Sequence, residues 1–159
     1  MGKIIRLDTK LALPTQPTLR QRNIKRVIRS FLRSPKKMIV PVRTNPRDPS
    51  TYLILDGHHS TCVADTLNEF RPGFVDIFGW ITEDNQDLIE RLPQDFHQGR
   101  VYSQNENIEG RFENVPAYHE WSKVPKTIRE MRGRYEPLRS ARNLMRYATN
   151  KPNLAIPQS

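Results

Sequence analysis

The chain has 159 residues, of which 36% are hydrophobic and 27% charged, and its formal net charge is +9. This length predicts one compact domain with a core of its own. The single cysteine, Cys62, excludes an internal disulfide, and no segment has the apolar length of a signal peptide or of a membrane span, so we expect a cytoplasmic protein with no membrane partner.

The positive charge is concentrated at the start of the chain. The first fifty residues contain thirteen Lys or Arg against Asp8 and Asp48, a net of +11, so the remaining residues sum to −2. A basic segment of this kind attracts nucleic acid, nucleotide phosphates or another acidic partner, and composition does not choose among them. A solvated helix face accounts for the same pattern about equally well.

The N-terminal part of the chain predicts a strand, a connector and a basic helix. Lys3–Leu7 has the composition of a strand, and two prolines stiffen the segment after it. Apolar residues at helical spacing from Ile24 to Leu32 predict a helix that starts near Thr18, an acceptable N-cap. The other faces of this helix carry the residues that we predict to contact nucleic acid: Arg20, Arg22, Lys25, Arg26 and Arg29.

The middle of the chain predicts the rest of a small mixed sheet. Met38–Arg43 has a strand pattern in which Pro41 is typical of an edge or a bulge. Thr51–Asp56 contains a continuous apolar run, typical of a strand that is covered on both faces. A helix with residues from Cys62 to Phe70 on its apolar side follows, and Phe74–Ile81 predicts one more strand.

The last part of the chain predicts a helical extension on this α/β (α+β) fold. We expect a short helix over residues 85–92, a loop over 93–116, and basic helices over 125–134 and 138–147, each opened by a proline. The predicted organisation is therefore a core over 1–92, a loop and helical extension over 93–150 and a flexible tail over 151–159.

One turn carries most of the predicted chemistry. Asp56-Gly57-His58-His59 joins a predicted strand to a predicted helix, a layout that points the first backbone amides of the helix at an anion. Asp56 is placed to hold Mg²⁺ against bound phosphates or to accept a proton, so we predict Asp56, His58 and His59 as catalytic candidates. The residues predicted to contact phosphate in this segment are Gly57, His58, His59, Ser60 and Thr61.

The simpler interpretations of these residues are structural. An Asp-Gly pair is a common turn, and two adjacent histidines on a tight turn do not readily ligate one metal ion. One histidine is expected to face a ligand while the other fixes the loop through a backbone hydrogen bond. His119 has the context of a surface residue, as does His97, and Cys62 that of a small core residue.

The order of these motifs resembles the ParB and sulfiredoxin superfamily. The segments Leu13-Pro14-Thr15-Gln16, Asp56-Gly57-His58-His59 and Glu136-Pro137-Leu138-Arg139-Ser140 are most similar to the ParB-like nuclease family. The central segment is also similar to the Asp-Gly-His-His-Arg turn of ParB-like free serine kinases, with Ser60 in place of the arginine. Together the three segments span most of the chain.

The resemblance implies a ParB/sulfiredoxin-like core and a function in phosphate chemistry. It implies either a nucleoside di- or triphosphate, with Mg²⁺, whose phosphoryl group is transferred or hydrolysed at the Asp56 turn, or cleavage of nucleic acid. It also implies that Arg139 and Ser140 contact phosphate, and an arginine there would equally suit a carboxylate such as Asp56. The alternative is a non-catalytic DNA-binding or regulatory module that uses the basic N-terminal face.

Overall fold

The computed structural model describes residues 3–33, 37–84 and 110–149. Within these ranges the chain forms one mixed five-stranded sheet with five α-helices and two short 3₁₀ turns. The strands are β1 (Lys3–Arg6), β2 (Ala12–Leu13), β3 (Lys37–Thr44), β4 (Tyr52–Ile54) and β5 (Asp76–Ile81). The helices are α1 (Gln21–Arg33), α2 (His58–Phe70), α3 (Arg111–Glu120), α4 (Ile128–Gly133) and α5 (Ala141–Thr149), and the 3₁₀ turns are Thr9–Leu11 and Glu136–Leu138.

The predicted α/β fold with C-terminal helices is confirmed. The strand order is β1-β5-β3-β4-β2, with β3 parallel to β5 and antiparallel to β4. The two-residue strand β2, which the sequence did not predict, pairs parallel with β4 at one edge. No helix of the described ranges is long and apolar enough to cross a membrane.

Helix α1 packs its apolar stripe against the sheet, but it starts later than predicted. Ile24, Ile28 and Phe31 are buried in the main core, whereas Leu32 is 37% exposed, so its predicted burial is wrong. The helix begins at Gln21, and Thr18 is therefore not its N-cap. The connector before it keeps an irregular path because its backbone is held by other parts of the chain.

Strand β3 lies inside the sheet and pairs with β5 in an unbroken register, so the predicted edge or bulge at Pro41 is wrong. The missing amide of Pro41 falls opposite Leu55, one residue beyond the last paired residue of β4. The Leu55 amide donates to the Pro41 carbonyl at 2.9 Å, while the Leu55 carbonyl accepts a hydrogen bond from Nε of Arg111. An arginine from α3 thus replaces the donor that proline lacks.

The predicted burial of the central apolar run on both faces is confirmed. Ile54 belongs to the main core under α1 and α2, while Leu53 and Leu55 pack with Val115 of α3 on the opposite face. Helix α2 buries Cys62 and the apolar residues near it, but Phe70 is 72% exposed because the helix extends past the core.

The C-terminal helices differ in detail from the predicted ones. Residues 111–116 belong to α3 and do not form a loop, whereas 85–109 and 150–159 lie outside the described residues. The prediction that prolines open the last two helices is wrong: Thr127 caps α4 and Ser140 caps α5 through their side chains. The Pro137 turn lies between these helices.

Arg132 anchors this extension to the core. Its guanidinium is almost fully buried and donates to Asp65 at 2.7 Å, to Glu69 at 2.5 Å and to the Leu138 carbonyl at 3.1 Å. All three acceptors are needed, because a buried guanidinium without partners is strongly unfavourable. The hydrogen bond from Arg132, together with one from Arg129, lowers the pKa of Glu69 to about 2.

Candidate functional site

The predicted glycine turn is present between β4 and α2. Gly57 adopts φ +95°, a conformation that residues with a side chain rarely adopt, and α2 begins at the next residue. Asp56 Oδ1 accepts a hydrogen bond from the Gly57 amide at 2.9 Å. The side chain of Asp56 therefore stabilises the bend and occupies its first amide.

The next three amides form the open end of α2. Because the first helical hydrogen bond runs from Thr61 to the Gly57 carbonyl, the amides of His58, His59 and Ser60 have no acceptor among the described residues. The Thr61 hydroxyl also donates to the Gly57 carbonyl, at 2.8 Å, and its side chain is buried. Thr61 thus closes the first turn from inside and does not line the cleft described next.

A cleft of about 940 Å³ lies in front of these amides. One wall is the connector before α1, a second is α1 itself, and the floor is the turn. Its lining residues are Gln16, Pro17, Thr18, Arg20, Asn23, Arg26, Val27, Ser30, Phe31, Met38, Ile39, Asp56, Gly57, His58, His59 and Ser60. The volume falls in the usual range for small-molecule sites.

Both histidines of the turn hold the connector. His58 Nε2 accepts a hydrogen bond from the Thr15 amide at 2.9 Å, and His59 Nε2 accepts one from the Arg20 amide at 2.8 Å. The Thr15 hydroxyl donates to the Ile54 carbonyl at 2.5 Å, so the connector is also tied to the end of β4. The sequence predicted one loop-fixing histidine, and the structure has two.

These bonds set the protonation state of both rings. An Nε2 atom that accepts a hydrogen bond leaves the proton of a neutral imidazole on Nδ1. Burial, with Arg111 and His59 nearby, lowers the pKa of His58 well below its ordinary value. Burial and Arg26 also lower the pKa of His59, against a smaller opposite effect of Asp56. Both rings are therefore neutral near pH 7.

The Nδ1 atom of His58 is a buried donor without an acceptor in the described part of the chain. The ring is 1% exposed and lines the cleft. Buried polar atoms normally have a partner, and an orphaned one commonly marks a position where a ligand or an ordered water binds. The open amides at the start of α2 add further hydrogen-bond donors, without acceptors in the described ranges, beside the same cleft.

Arg111 is a residue of the site region that the sequence analysis missed. It opens α3, donates to the Leu55 carbonyl directly before the turn, and lies close enough to His58 to help lower the pKa of that ring. Burial lowers the pKa of Arg111 while Asp56 opposes that shift. Arg111 lies 55 residues after Asp56 in a segment without periodicity, so no local pattern predicted that it would lie beside the turn.

The structure divides the predicted nucleic-acid residues into two groups. Arg20 and Arg26 line the cleft, whereas Arg22, Lys25 and Arg29 do not. Lys25 leans over the ring of Tyr147, 5.6 Å from its centroid, on the other side of α1.

The C-terminal pair is not brought to the cleft. Arg139 donates from Nε to the Gly133 carbonyl at 3.0 Å, and the Ser140 hydroxyl accepts from the Asn143 amide at 3.0 Å. Neither residue lines the cleft. The geometry therefore gives both residues a local role in the last turn and helix.

A metal ion would depend on the ligand for most of its coordination. Asp56 is the one carboxylate that lines the cleft, and the described ranges contain no group of three or more potential ligands from His, Cys, Asp and Glu. Mg²⁺ is commonly held by one or two carboxylates together with phosphate oxygens and water, so Asp56 fits that role in a phosphate complex.

The remaining candidates have structural surroundings. His119 is half-buried and its Nδ1 bonds the Pro14 carbonyl at 2.8 Å, so it is more enclosed than the surface residue we predicted, while His97 lies outside the described residues. Cys62 is fully buried, and burial raises the pKa of its thiol. The structure thus places Cys62 in the core, as predicted.

Comparison of the chain with family models, with curated proteins and with solved structures finds no significant match.

Proposed function

We propose that the protein binds a nucleoside di- or triphosphate in the cleft, with the phosphates at the start of α2. The observation that carries this proposal is the convergence of three open amides, the buried Nδ1 donor of His58 and two arginines of the α1 side, Arg20 and Arg26, on one cleft. Helix N-termini and guanidinium groups are the usual partners of phosphate.

The far part of the cleft suits an apolar or aromatic group. Val27, Phe31, Met38 and Ile39 contribute to its lining. Phe31 lies ten residues beyond Gln21, the first residue of α1 and the neighbour of Arg20, which corresponds to about 15 Å of helix axis. A ligand with phosphates at one end and a flat base at the other matches this arrangement better than inorganic phosphate does.

Asp56 is the residue that we expect to support chemistry. Its Oδ1 holds the Gly57 amide, and its other oxygen is available to Mg²⁺ or to a proton. In the hydrolytic form of the reaction, water attacks the terminal phosphorus, the bond to the leaving phosphate oxygen breaks, and the proton of the water passes to the carboxylate. Bound Mg²⁺ would offset the negative charge of the phosphates.

The histidines are expected to contribute binding and positioning. His58 offers a fixed Nδ1 proton as a donor, and His59 keeps the Arg20 side of the connector against the turn. Because each Nε2 is committed to a backbone amide, neither ring is placed as the base at that atom. Nuclease activity follows from the family resemblance alone, and no lining residue favours it over nucleotide binding.

Calorimetric titration tests the binding proposal. ATP, ADP, CTP and pyrophosphate are titrated with and without Mg²⁺ into the native protein and into Arg26→Ala. Arg26→Ala removes a hydrogen bond to a charged phosphate, which contributes about 1.5–3 kcal/mol, so binding should weaken roughly 10- to 100-fold. Arg29→Ala, on the same helix but outside the cleft, is the matched control and should bind nucleotide normally. No binding of any of the four probes at millimolar concentration would reject the proposal.

Phosphate release from bound nucleotide tests the chemistry separately. With Mg²⁺ present, Asp56→Asn should retain nucleotide binding within a few fold but lose turnover, because the amide neither accepts the proton nor binds the cation well. A variant that turns over nucleotide as fast as the native protein would exclude Asp56 as the base while leaving the binding proposal intact.

A further inference from the structure

Helices α1 and α5 together present a second basic surface, separate from the cleft. On α1 four of the residues that lie outside the cleft are cationic, and the exposed side of α5 adds two arginines one turn apart. We call this the α1–α5 basic surface, and its members are Arg22, Lys25, Arg29, Arg33, Arg142 and Arg146. We propose that it binds the backbone of double-stranded DNA.

Direct contacts place the two helices side by side. The Tyr147 hydroxyl of α5 donates to the Gln21 carbonyl of α1 at 3.4 Å, and the ammonium of Lys25 lies 5.6 Å from the centre of the Tyr147 ring. Arg146, the neighbour of Tyr147, is exposed. The two helices are therefore neighbours, and both carry exposed cations.

This face carries no compensating acid of its own. Neither Gln21–Arg33 nor Ala141–Thr149 contains an Asp or Glu. Arg22, Arg29 and Arg146 form no ion pair with a carboxylate of the described residues, unlike Arg132 in the core or Arg129 at its edge. Three arginines on two adjacent helices, with no carboxylate partner in the described part of the chain, exceed what solubility requires, and they attract a polyanion.

The chemistry of the surface selects DNA among polyanions. Membrane binding by a surface helix needs an exposed apolar face, but Ile24, Ile28 and Phe31 of α1 are buried in the core. Single strands need aromatic side chains for stacking, and Tyr147 is buried beneath Lys25. Five of the six cations are arginines, which pair phosphate through two parallel hydrogen bonds.

The duplex form follows from groove geometry. The major groove of B-form DNA is wide enough to admit a helix, whose arginines then reach the phosphates that flank the groove, whereas the deep major groove of double-stranded RNA is too narrow to admit one. Protein contacts restricted to phosphates give affinity without sequence preference. We therefore expect binding that depends strongly on salt and weakly on sequence.

Fluorescence anisotropy with a labelled 20-base-pair DNA duplex tests the proposal on the full chain. If about five phosphates are contacted, raising salt from 50 to 200 mM should weaken binding roughly 100- to 1,000-fold. Arg29→Ala and Arg146→Ala should each weaken binding several fold and reduce the salt slope by about 1. Arg29→Lys, which keeps the charge, should retain more affinity than Arg29→Ala.

The control removes one positive charge from a different surface. Lys10 is exposed on the 3₁₀ turn, away from α1 and α5, so Lys10→Ala should change affinity less than twofold. Arg26→Ala separates the two proposals, because it should impair nucleotide binding far more than DNA binding. Arg146→Ala should impair DNA binding far more than nucleotide binding. Circular dichroism confirms that each exposed variant is folded.

Three results would overturn the inference. The first is no DNA binding at 50 mM salt with protein on the order of 100 μM, the weak limit of non-specific affinity. The second is DNA binding that Arg146→Ala and Arg142→Ala leave unchanged. The third is tighter binding to single strands, to double-stranded RNA or to phosphatidylserine vesicles than to the duplex. None of these results bears on nucleotide binding in the cleft.

Discussion

The Nε2 atom of His59 lies 2.8 Å from the backbone nitrogen of Arg20 and accepts its hydrogen bond. The bond joins the first turn of α2 to the connector that forms one wall of the cleft, and His58 makes the equivalent bond to Thr15. The two histidines of the turn therefore help to hold this wall of the cleft in place. They do so only when neutral, because a protonated nitrogen no longer accepts a hydrogen bond.

Stability should consequently fall as the pH drops below the ordinary histidine range. The pKa values of His58 and His59 are lowered in the folded protein, so the unfolded chain binds more protons between those values and 6.5. The stability that the two neutral rings contribute is complete above about pH 6.5 and is lost as the pH falls below it. The free energy of unfolding should then change by at most about 1.4 kcal/mol per pH unit for each ring. Urea denaturation at pH 5, 6, 7 and 8 measures this slope.

The double variant His58→Gln/His59→Gln is the control for that slope. Glutamine offers an amide oxygen near the position of Nε2 but does not titrate, so the variant should show a flatter dependence on pH. His119 keeps part of the slope, because burial lowers its pKa as well. An unchanged slope in the double variant would show that other groups cause the acid sensitivity.

Gly57→Ala should destabilise the protein by about 1–2 kcal/mol. The cause is the backbone conformation at φ +95°, since the nearest atom to an added methyl, Val40 Cγ1, would lie at an ordinary 3.7 Å. Gly133→Ala is the matched control, because no atom lies within 4 Å of an added methyl and φ is not positive. It should be neutral or slightly stabilising in chemical denaturation. Equal losses in the two variants would argue against the strained turn.

Arg132→Met should cost about 3–5 kcal/mol of unfolding free energy. The substitution leaves Asp65 and Glu69 without the buried guanidinium that binds both, and methionine fills only part of the space. Arg129→Ala is the control, because Arg129 binds the same Glu69 from a side chain that is 84% exposed. This substitution should cost less than about 1 kcal/mol of unfolding free energy. Similar losses for both arginines would contradict the difference in burial.

Local sequence patterns predicted the main elements of the fold but not their edges. The strand pattern of Lys3–Leu7 and the periodicity of α1 and α2 identified elements of the correct type. Leu32 and Phe70 were misassigned to the core because helical spacing alone does not show how far the packed side of each helix extends. Strand β2 was not predicted, because a strand of two residues shows no alternating pattern and forms only through its pairing with β4.

The sequence predicted only part of the candidate site, because only local features leave a pattern in the sequence. The Asp-Gly-His-His segment located the turn, since glycine and a following helix are local features. The partners of the turn are Thr15, Arg20 and Arg111, which are 39 to 56 residues away from the atoms that they bond. Such contacts are determined by tertiary packing, and no spacing in the sequence records them.

At two places in the fold an arginine supplies the hydrogen-bond donor that a proline lacks. Pro41 leaves the Leu55 carbonyl without its strand donor, and Arg111 supplies one. In α3, Pro116 leaves the Phe112 carbonyl without its helical donor, and Nη1 of Arg43 binds it at 2.7 Å. Each arginine satisfies a backbone carbonyl that a proline cannot.

A double-mutant cycle between Pro41 and Arg111 tests this relationship. Arg111→Leu should cost about 1–3 kcal/mol, because the Leu55 carbonyl is buried and loses its donor. In the Pro41→Ala background the new amide can donate to that carbonyl, so the same arginine substitution should cost about 0.5–1.5 kcal/mol less. Arg43→Leu, whose partner is Phe112, should cost the same in both backgrounds. Additive losses for Pro41 and Arg111 would show that the guanidinium stabilises the turn through Asp56 instead of through the Leu55 carbonyl.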